Sequence, residues 1–328
     1  MYKSFYQLRQ NPFEITPDPS FLFSTAHHNE ALASLYYGVR ARKGFLVLTG
    51  EVGTGKTMLV RCVLDFLQRS GLAFAYVFNP SLSPLEFIRY IAGDFGLPVA
   101  GKAKDEIILA LSTFLVDRHK SNLSTLLIVD EAHHLSPELL EEIRLLTNLE
   151  TTQRKLLQIV LAGQPELDEM LDSFDLRQLK QRIALRCHLE PLDLAETRGY
   201  IQRRLQIAGR APEKIIFSES AVSAIFRHSK GFPRMVNTIC ENALLSGYAC
   251  RAAVISDAVI EEVARDLRLG VVSQKDNKNG SAGGDQEVKK LELVRAVKTL
   301  LELHDYLQEM KSTETEEKTS VSYRISEQ

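Results

Sequence analysis

No run of apolar residues approaches the length of a membrane-spanning helix, and the opening MYKSFYQLRQNPFEI lacks the basic-then-apolar layout of a signal peptide. Neither sign of charge is in excess. The 40 Lys and Arg against 42 Asp and Glu leave a net charge of -2, which argues against a surface that coats nucleic acid generally, though not against a local basic patch. The four cysteines, Cys62, Cys187, Cys240 and Cys250, fall in no paired or metal-ligand spacing, so neither a disulfide framework nor a thiolate metal site is expected. Cys62 and Cys240 sit on apolar helical patterns, where free thiols commonly bury. His27–His28 and His133–His134 are adjacent pairs whose members point to different sides of a helix or strand, a poor arrangement for chelating one ion. No internal repeat is evident. What is present is an ordinary globular balance, 45% hydrophobic and 25% charged, over 328 residues. That length suffices for two compact units and a tail, and the expected location is the cytoplasm, with attachment at the periphery of the inner membrane through partners left open.

After an irregular, Pro- and Phe-containing opening, a helical pattern covers Asn29 to Arg42, completing an N-terminal segment over 1–43. Strands and helices then alternate through 44–191. The strand patterns are Phe45–Thr49, Phe74–Phe78, Leu126–Val129 and Leu157–Ala162, with a further strand at Ala184–Leu189. Helical patterns lie at Lys56–Gln68, Pro84–Asp94, Asp105–Lys120 and Pro137–Leu149. Such alternation predicts an α/β fold with a parallel five-stranded sheet, and continuous runs such as LLIV and IVLA suit strands covered on both faces. Over 192–269 the strand signal is gone. Helices are expected at Ala195–Ala208, Glu219–Ser229, Arg234–Ala249 and Asp257–Leu267, with Ser218 and Ser256 as N-caps, giving a small all-helical lid. Residues 270–286, containing QKDNKNGSAGGDQ, read as a flexible linker, since they cannot bury enough apolar area to offset their ordering entropy. An amphipathic helix is expected at 287–311, either a docking or self-association element or a weakly ordered tail, and a disordered tail at 312–328.

Two motifs carry chemistry. Gly50-Glu51-Val52-Gly53-Thr54-Gly55-Lys56-Thr57, running on to Met58, matches G-x-x-x-x-G-K-[ST] directly after an apolar strand and at the start of a helix. Glycines let the backbone wrap phosphates closely, so that successive N–H groups and the helix N-terminus face the anion. Lys56 adds a point charge for the β- and γ-phosphates, and the Thr57 hydroxyl ligates Mg²⁺. The second motif, Leu126-Leu-Ile-Val-Asp130-Glu131, puts carboxylates at the C-terminal tip of a buried strand, where open α/β sheets bind ligands. Asp130 is expected to hold Mg²⁺, mostly through water, and Glu131 to orient and deprotonate the attacking water. Alone, Asp130-Glu131 would be read as a strand end capping a helix; the phosphate loop changes that balance. The spacing further suggests that the strand carrying Asp130 lies beside the strand carrying the phosphate loop. The letters DEAH are not a helicase box, because the chain after Pro191 offers no second such core.

These motifs resemble the AAA+ superfamily of P-loop ATPases, and within it the ATPase domain of general secretion pathway protein A, the ExeA type. The resemblance spans roughly residues 1–268. It is carried by Asn11-Pro12-Phe13, Thr16-Pro17-Asp18-Pro19, Gly44-Phe45 with the phosphate loop, Asp130-Glu131-Ala132, Gly163-Gln164-Pro165-Glu166-Leu167, Gln181-Arg182 and Gly231-Phe232-Pro233-Arg234. It implies that Gln164 is a polar sensor of the γ-phosphate or attacking water, the other reading being a structural amide at a strand end. It implies an arginine finger at Arg182 acting on a neighbouring subunit, with Arg177 in reserve and a solvated basic face as the competing reading. Arg234 is similar to the second sensor that reaches from the lid, and the stretch around Phe23 and His28 is implied to line the adenine pocket.

The expectation is therefore a Mg²⁺-dependent ATPase, active as a homo-oligomer, that drives assembly or remodelling of partner proteins in secretion or cell-envelope processes. Relatives of the secretion type often carry a membrane span and a peptidoglycan-binding domain; neither is seen here, so direct action on the cell wall is not expected. Two other classes stay open: a DNA-transaction ATPase of the transposition-accessory or origin-recognition type, with nucleic acid a partner left open but not favoured, and a slow signalling switch.

Overall fold

The computed structural model describes residues 2–269 apart from 17, 69, 79, 152 and 153. The expected linker, amphipathic helix and tail at 270–328 lie outside the described residues. Five strands, β1 (Phe45–Gly50), β2 (Ala73–Val77), β3 (Thr125–Val129), β4 (Gln158–Gly163) and β5 (Ile183–Leu189), pair in parallel in the order β2-β3-β4-β1-β5. The five-stranded parallel α/β sheet expected from the sequence is thus the sheet that forms. One expectation is corrected: β3 does not lie beside β1. The chain passes from β1 to the far edge at β2 and fills back through β3 and β4, so β4 stands between the two motif-bearing strands. Each central strand is apolar on both faces, so its residue pattern holds no information about lateral order.

Alternation of side chains decides the layers. Phe45, Val47, Leu127, Val129, Ile159 and Leu161 face one side, under α4 (Pro84–Asp94), α5 (Lys104–Lys120) and α6 (Pro137–Leu146). Leu46, Leu48, Leu126, Ile128, Val160 and Ala162 face the other, under α2 (Ala26–Arg40) and α3 (Lys56–Gln68). Helix starts follow side-chain oxygens. Thr25 accepts from the His28 amide and begins α2 three residues before the periodic pattern shows, while Ser83 and Glu86 form a reciprocal cap on α4. Helix α6 ends earlier than its pattern predicts. Lys155 donates to the Thr147 carbonyl and Arg182 to that of Arg144, and these contacts turn the chain after Leu146. Short helices α7 (Glu166–Leu171) and α8 (Arg177–Lys180) lie between β4 and β5.

Four helices follow, α9 (Leu194–Ile207), α10 (Glu219–Ser229), α11 (Pro233–Ala249) and α12 (Asp257–Asp266), each within a residue of its expected bounds. Their core is completed from the far end of the chain. A helix not expected from sequence, α1 (Tyr2–Tyr6), and the segment after it insert Tyr2, Tyr6, Leu8 and Phe13 among Leu205, Phe217, Ile239 and Leu244. Phe13 is fully buried, with its ring edge-on to Phe217 at 6.1 Å between centroids. The Tyr6 hydroxyl donates to the Ala252 carbonyl at 2.9 Å. Phe13→Ala should therefore lower unfolding stability by about 3–5 kcal/mol, as read by chemical denaturation. A loss under about 1 kcal/mol would contradict this packing.

Candidate functional site

The loop between β1 and α3 closes over its own lysine. Lys56 opens α3 and is buried, its Nζ donating to the carbonyls of Gly50 at 2.7 Å and Glu51 at 3.0 Å. Desolvation lowers its pKa from the ordinary lysine value, against the opposing pull of Glu131, Asp130, Glu51 and Glu166. Thr54, fully buried, donates to the Glu51 carbonyl at 2.9 Å. Gly53 holds φ +83, and a Cβ there would come within 2.8 Å of Arg234 Cβ. The absent side chain is what lets the N-terminus of α11 sit on the loop, where the Arg234 amide donates to the Gly53 carbonyl at 3.2 Å.

Asp130, at the tip of β3, is buried and carries three hydrogen bonds. Its Oδ2 accepts from Thr57 Oγ1 at 3.0 Å and from Tyr76 Oη at 2.9 Å, and its Oδ1 from the Glu131 amide at 3.0 Å. Burial and the Asp130 charge push the Tyr76 phenol far above the ordinary tyrosine value, so it stays a donor. Glu131 is exposed and left-handed, with φ 50 and ψ 37, a conformation that non-glycine residues adopt at a cost of about 1–3 kcal/mol. Its Oε2 lies 3.6 Å from His133 Nδ1.

A cavity of about 450 Å³ lies between these groups and the helical unit. Its phosphate-loop wall is Val52, Gly53, Thr54, Gly55, Lys56, Thr57 and Met58, and Glu131 and Arg234 line it as well, Arg234 resting on Gly53. Glu14, Ile15, Thr16, Phe21, Phe23 and His28 also line the cavity, His28 Nε2 lying 3.2 Å from the Thr54 carbonyl of the phosphate loop. Gly50 and Glu51 stand behind that wall as acceptors for Lys56, and Asp130 is reached through Thr57. Gln164 and Arg182 do not line the cavity. Gln164 lies against His133, its Nε2 2.8 Å from His133 Nε2. Arg182 is bound to the end of α6, donating to the Arg144 carbonyl at 3.2 Å, Asn148 Oδ1 at 2.6 Å and the Thr147 hydroxyl. Neighbouring basic residues are engaged too: Arg186 and Lys180 pair with Asp168 and Asp172, and Arg177 stacks on Phe174 at 4.6 Å.

Several site residues escaped the sequence reading. Tyr76 reaches Asp130 because β2 pairs with β3, a long-range fact. Arg204 and Asn237 shape the cavity from α9 and α11, Arg204 donating to the carbonyls of Pro12 at 2.5 Å and Glu14 at 3.3 Å. His133 was set aside as a chelator and proves to be a hydrogen-bonding partner instead. The chemistry of the donor set suits a nucleotide with a hard cation: a buried ammonium, a loop of backbone amides, and a hydroxyl and carboxylate meeting at 3.0 Å.

A family model described as an AAA domain matches residues 39–171. The chain is 44% identical over 253 residues to general secretion pathway protein A of Aeromonas hydrophila, a match covering 76% of this chain and 45% of that protein. It thus spans under half the length of that curated relative. Among solved structures it is similar to the Aeropyrum pernix ORC2 protein in ADPNP–ADP complexes, with TM-score 0.59 and 17% identity over 78% of this chain and 71% of the other. It is also similar to Drosophila ORC bound to DNA, with TM-score 0.61 and 18% identity over 81% and 66% of the two chains. At such identities these two likenesses speak for the fold alone.

One buried imidazole makes the site sensitive to acid. His28 Nδ1 lies 2.8 Å from Thr25 Oγ1 and Nε2 3.2 Å from the Thr54 carbonyl. Burial lowers its pKa from 6.5, and the Thr54 carbonyl opposes that shift. Burial lowers His133 in the same direction. The unfolded chain therefore takes up protons first: the contribution to stability is intact above about pH 6.5 and is lost as the pH falls toward the lowered folded values. Unfolding followed between about pH 8 and pH 5 should show this decline, and His28→Gln should remove part of the slope. An unchanged slope in that variant would contradict the assignment.

Proposed function

We propose that this chain, whose α/β body is an AAA domain of the AAA+ P-loop fold with a helical unit after it, binds Mg–ATP in the cavity and hydrolyses it. The observation that carries the reading is the meeting of the two sequence motifs. Thr57 on the phosphate loop donates to Asp130 at 3.0 Å, with Glu131 on the wall of the same cavity.

Each role follows from what the side chain can offer. Lys56, already desolvated and bonded among the described residues to the backbone carbonyls of Gly50 and Glu51, would exchange these for β- and γ-phosphate oxygens. Thr57 and Asp130 would hold Mg²⁺, which when bound neutralises charge on the phosphates. Glu131 would orient a water and take its proton. Gln164 would sense the γ-phosphate, and Arg234 would report it to the helical unit through its contact with Gly53. Arg182 would act in a neighbouring copy, which makes turnover depend on a homo-oligomer; its hold on α6 then sets where it is presented.

By its likeness to general secretion pathway protein A, the work so driven is assembly or remodelling of partner proteins in secretion or the cell envelope, from the cytoplasmic side. No described helix is long and apolar enough to cross a membrane. A DNA-transaction reading stays second, because the basic residues that suggested it are paired, stacked or hydrogen-bonded.

Glu131→Gln should bind ATP with near wild-type affinity while kcat falls by about 10²–10⁴-fold, measured by equilibrium binding and steady-state turnover. Normal turnover in that variant would remove Glu131 from the base role. For the finger, Arg182→Ala and Lys56→Ala should each be inactive alone and regain turnover when mixed, since each copy then supplies what the other lacks. Absence of rescue in a mixture shown to co-assemble would place the finger elsewhere.

A further inference from the structure

Tyr76 approaches Asp130 from β2, at the edge of the sheet, on the face that packs against α3. In register it stands beside Ile128, and its long side chain reaches forward to the tip of β3. Its place is fixed by the segments around it. The Tyr76 amide donates to Asp94 Oδ2 at 2.7 Å, and the Asp130 amide donates to the Val77 carbonyl at 2.9 Å. The Phe78 ring stacks on the phenol, with centroids 4.3 Å apart and planes at 27°. Tyr76 is buried, and among the described residues the partner of its hydroxyl is Asp130 Oδ2, at 2.9 Å.

An ionised carboxylate offers about four lone-pair positions, shared equally between its oxygens. On Asp130, Oδ2 has both of its positions taken, by the hydroxyls of Thr57 and Tyr76, while Oδ1 has one taken by the Glu131 amide. Thr57 donates its hydrogen to Asp130 and keeps its oxygen lone pairs for a cation. The carboxylate oxygen beside such a cation is Oδ2, and the position it could have offered is filled by Tyr76. Asp130 can then accept a hydrogen bond from a water on the cation, through Oδ1, but a direct bond from Oδ2 has to displace a hydroxyl. Cations differ in how they bear this. Mg²⁺ dehydrates reluctantly and keeps several waters, whereas Ca²⁺ takes about six to eight oxygens and binds carboxylates directly through one or both oxygens.

We propose that Tyr76 is a positioning residue that sets the choice of cation: by filling the second position on Asp130 Oδ2 it holds Asp130 to water-mediated contact with the ion, which suits Mg²⁺ and disfavours Ca²⁺. The hydrogen bond persists with and without nucleotide, so it selects a cation and switches nothing. The inference rests on the Mg–nucleotide reading of the cavity and deepens it.

The test uses the full chain with ADP, Mn²⁺ as a paramagnetic reporter, and Mg²⁺ or Ca²⁺ as competitors. Tyr76→Phe removes the hydroxyl and leaves the ring. It should shift the ratio of Ca²⁺ to Mg²⁺ affinity toward Ca²⁺ by about tenfold, the weight of one hydrogen bond to a charged group. An unchanged ratio overturns the proposal. Phe78→Ala loosens the ring and leaves the hydroxyl, and should keep the wild-type ratio; a shift as large as that of Tyr76→Phe would assign the effect to packing and overturn the proposal. Broadening of the Mn²⁺ signal by ¹⁷O-water supplies a reading on the wild-type protein itself. Thr57 and one phosphate oxygen leave about four waters on a six-coordinate ion, and Tyr76→Phe should lose one of them. A wild-type count already lower by one means that Asp130 binds the ion directly, which overturns the proposal without any variant. If wild-type protein with ADP holds no Mn²⁺, the Mg–nucleotide reading fails and the proposal with it. If it holds Mn²⁺ and the ratio in Tyr76→Phe does not move, the proposal alone fails.

Discussion

One buried carboxylate holds the chemical end of this molecule together. Asp130 accepts from α3 through Thr57, from β2 through Tyr76 and from its own following amide, so three segments distant in sequence share a single charge. Charge-assisted hydrogen bonds of this kind are stronger than neutral ones, and a buried carboxylate without them would be expensive. The position of the phosphate loop relative to β3 therefore rests less on the sheet, where β4 separates the two strands, than on this junction above it.

The helical unit depends on a second buried charge of opposite sign. Arg204 is 4% exposed and has no carboxylate partner among the described residues. It donates to the carbonyls of Pro12 and Glu14 and to the Tyr200 hydroxyl, and lies over the Phe21 ring at 4.7 Å. A guanidinium can be buried this way because its five donors are spread in a plane and weakly hydrated. The result fixes the N-terminal segment against α9 at the edge of the cavity.

What the sequence disclosed and what it withheld divide along physical lines. The phosphate loop is local: its glycines, lysine and threonine are consecutive, and the strand before and the helix after are set by short-range pattern, so β1 and α3 form where expected. Helices with strong side-chain caps, such as α4 and α10, also begin at their expected residues. The order of strands was not legible, because a strand covered on both faces reads the same at the centre of a sheet wherever it sits. Tyr76 and Arg204 were not legible because their partners lie 54 and about 190 residues away. His133 was visible but read only as a poor chelator, because its link to Gln164 needs β3 and β4 side by side. The first helix was missed because five residues are too few for a periodic signal.

The N-terminal segment changes what a change of angle between the two bodies involves. Residues up to Phe13 are built into the helical core, whereas α2 is built onto the sheet. The chain between Phe13 and α2 therefore links one body to the other, with Phe23 packed on the helical core and Leu22 on the sheet-side core, and Glu14, Ile15, Thr16, Phe21, Leu22 and Phe23 of it line the cavity. Any swing of the helical unit away from the sheet has to be taken up in that tether. A change of angle between the bodies would thus reshape the circumference of the pocket, as a drawstring does, rather than only uncover its mouth.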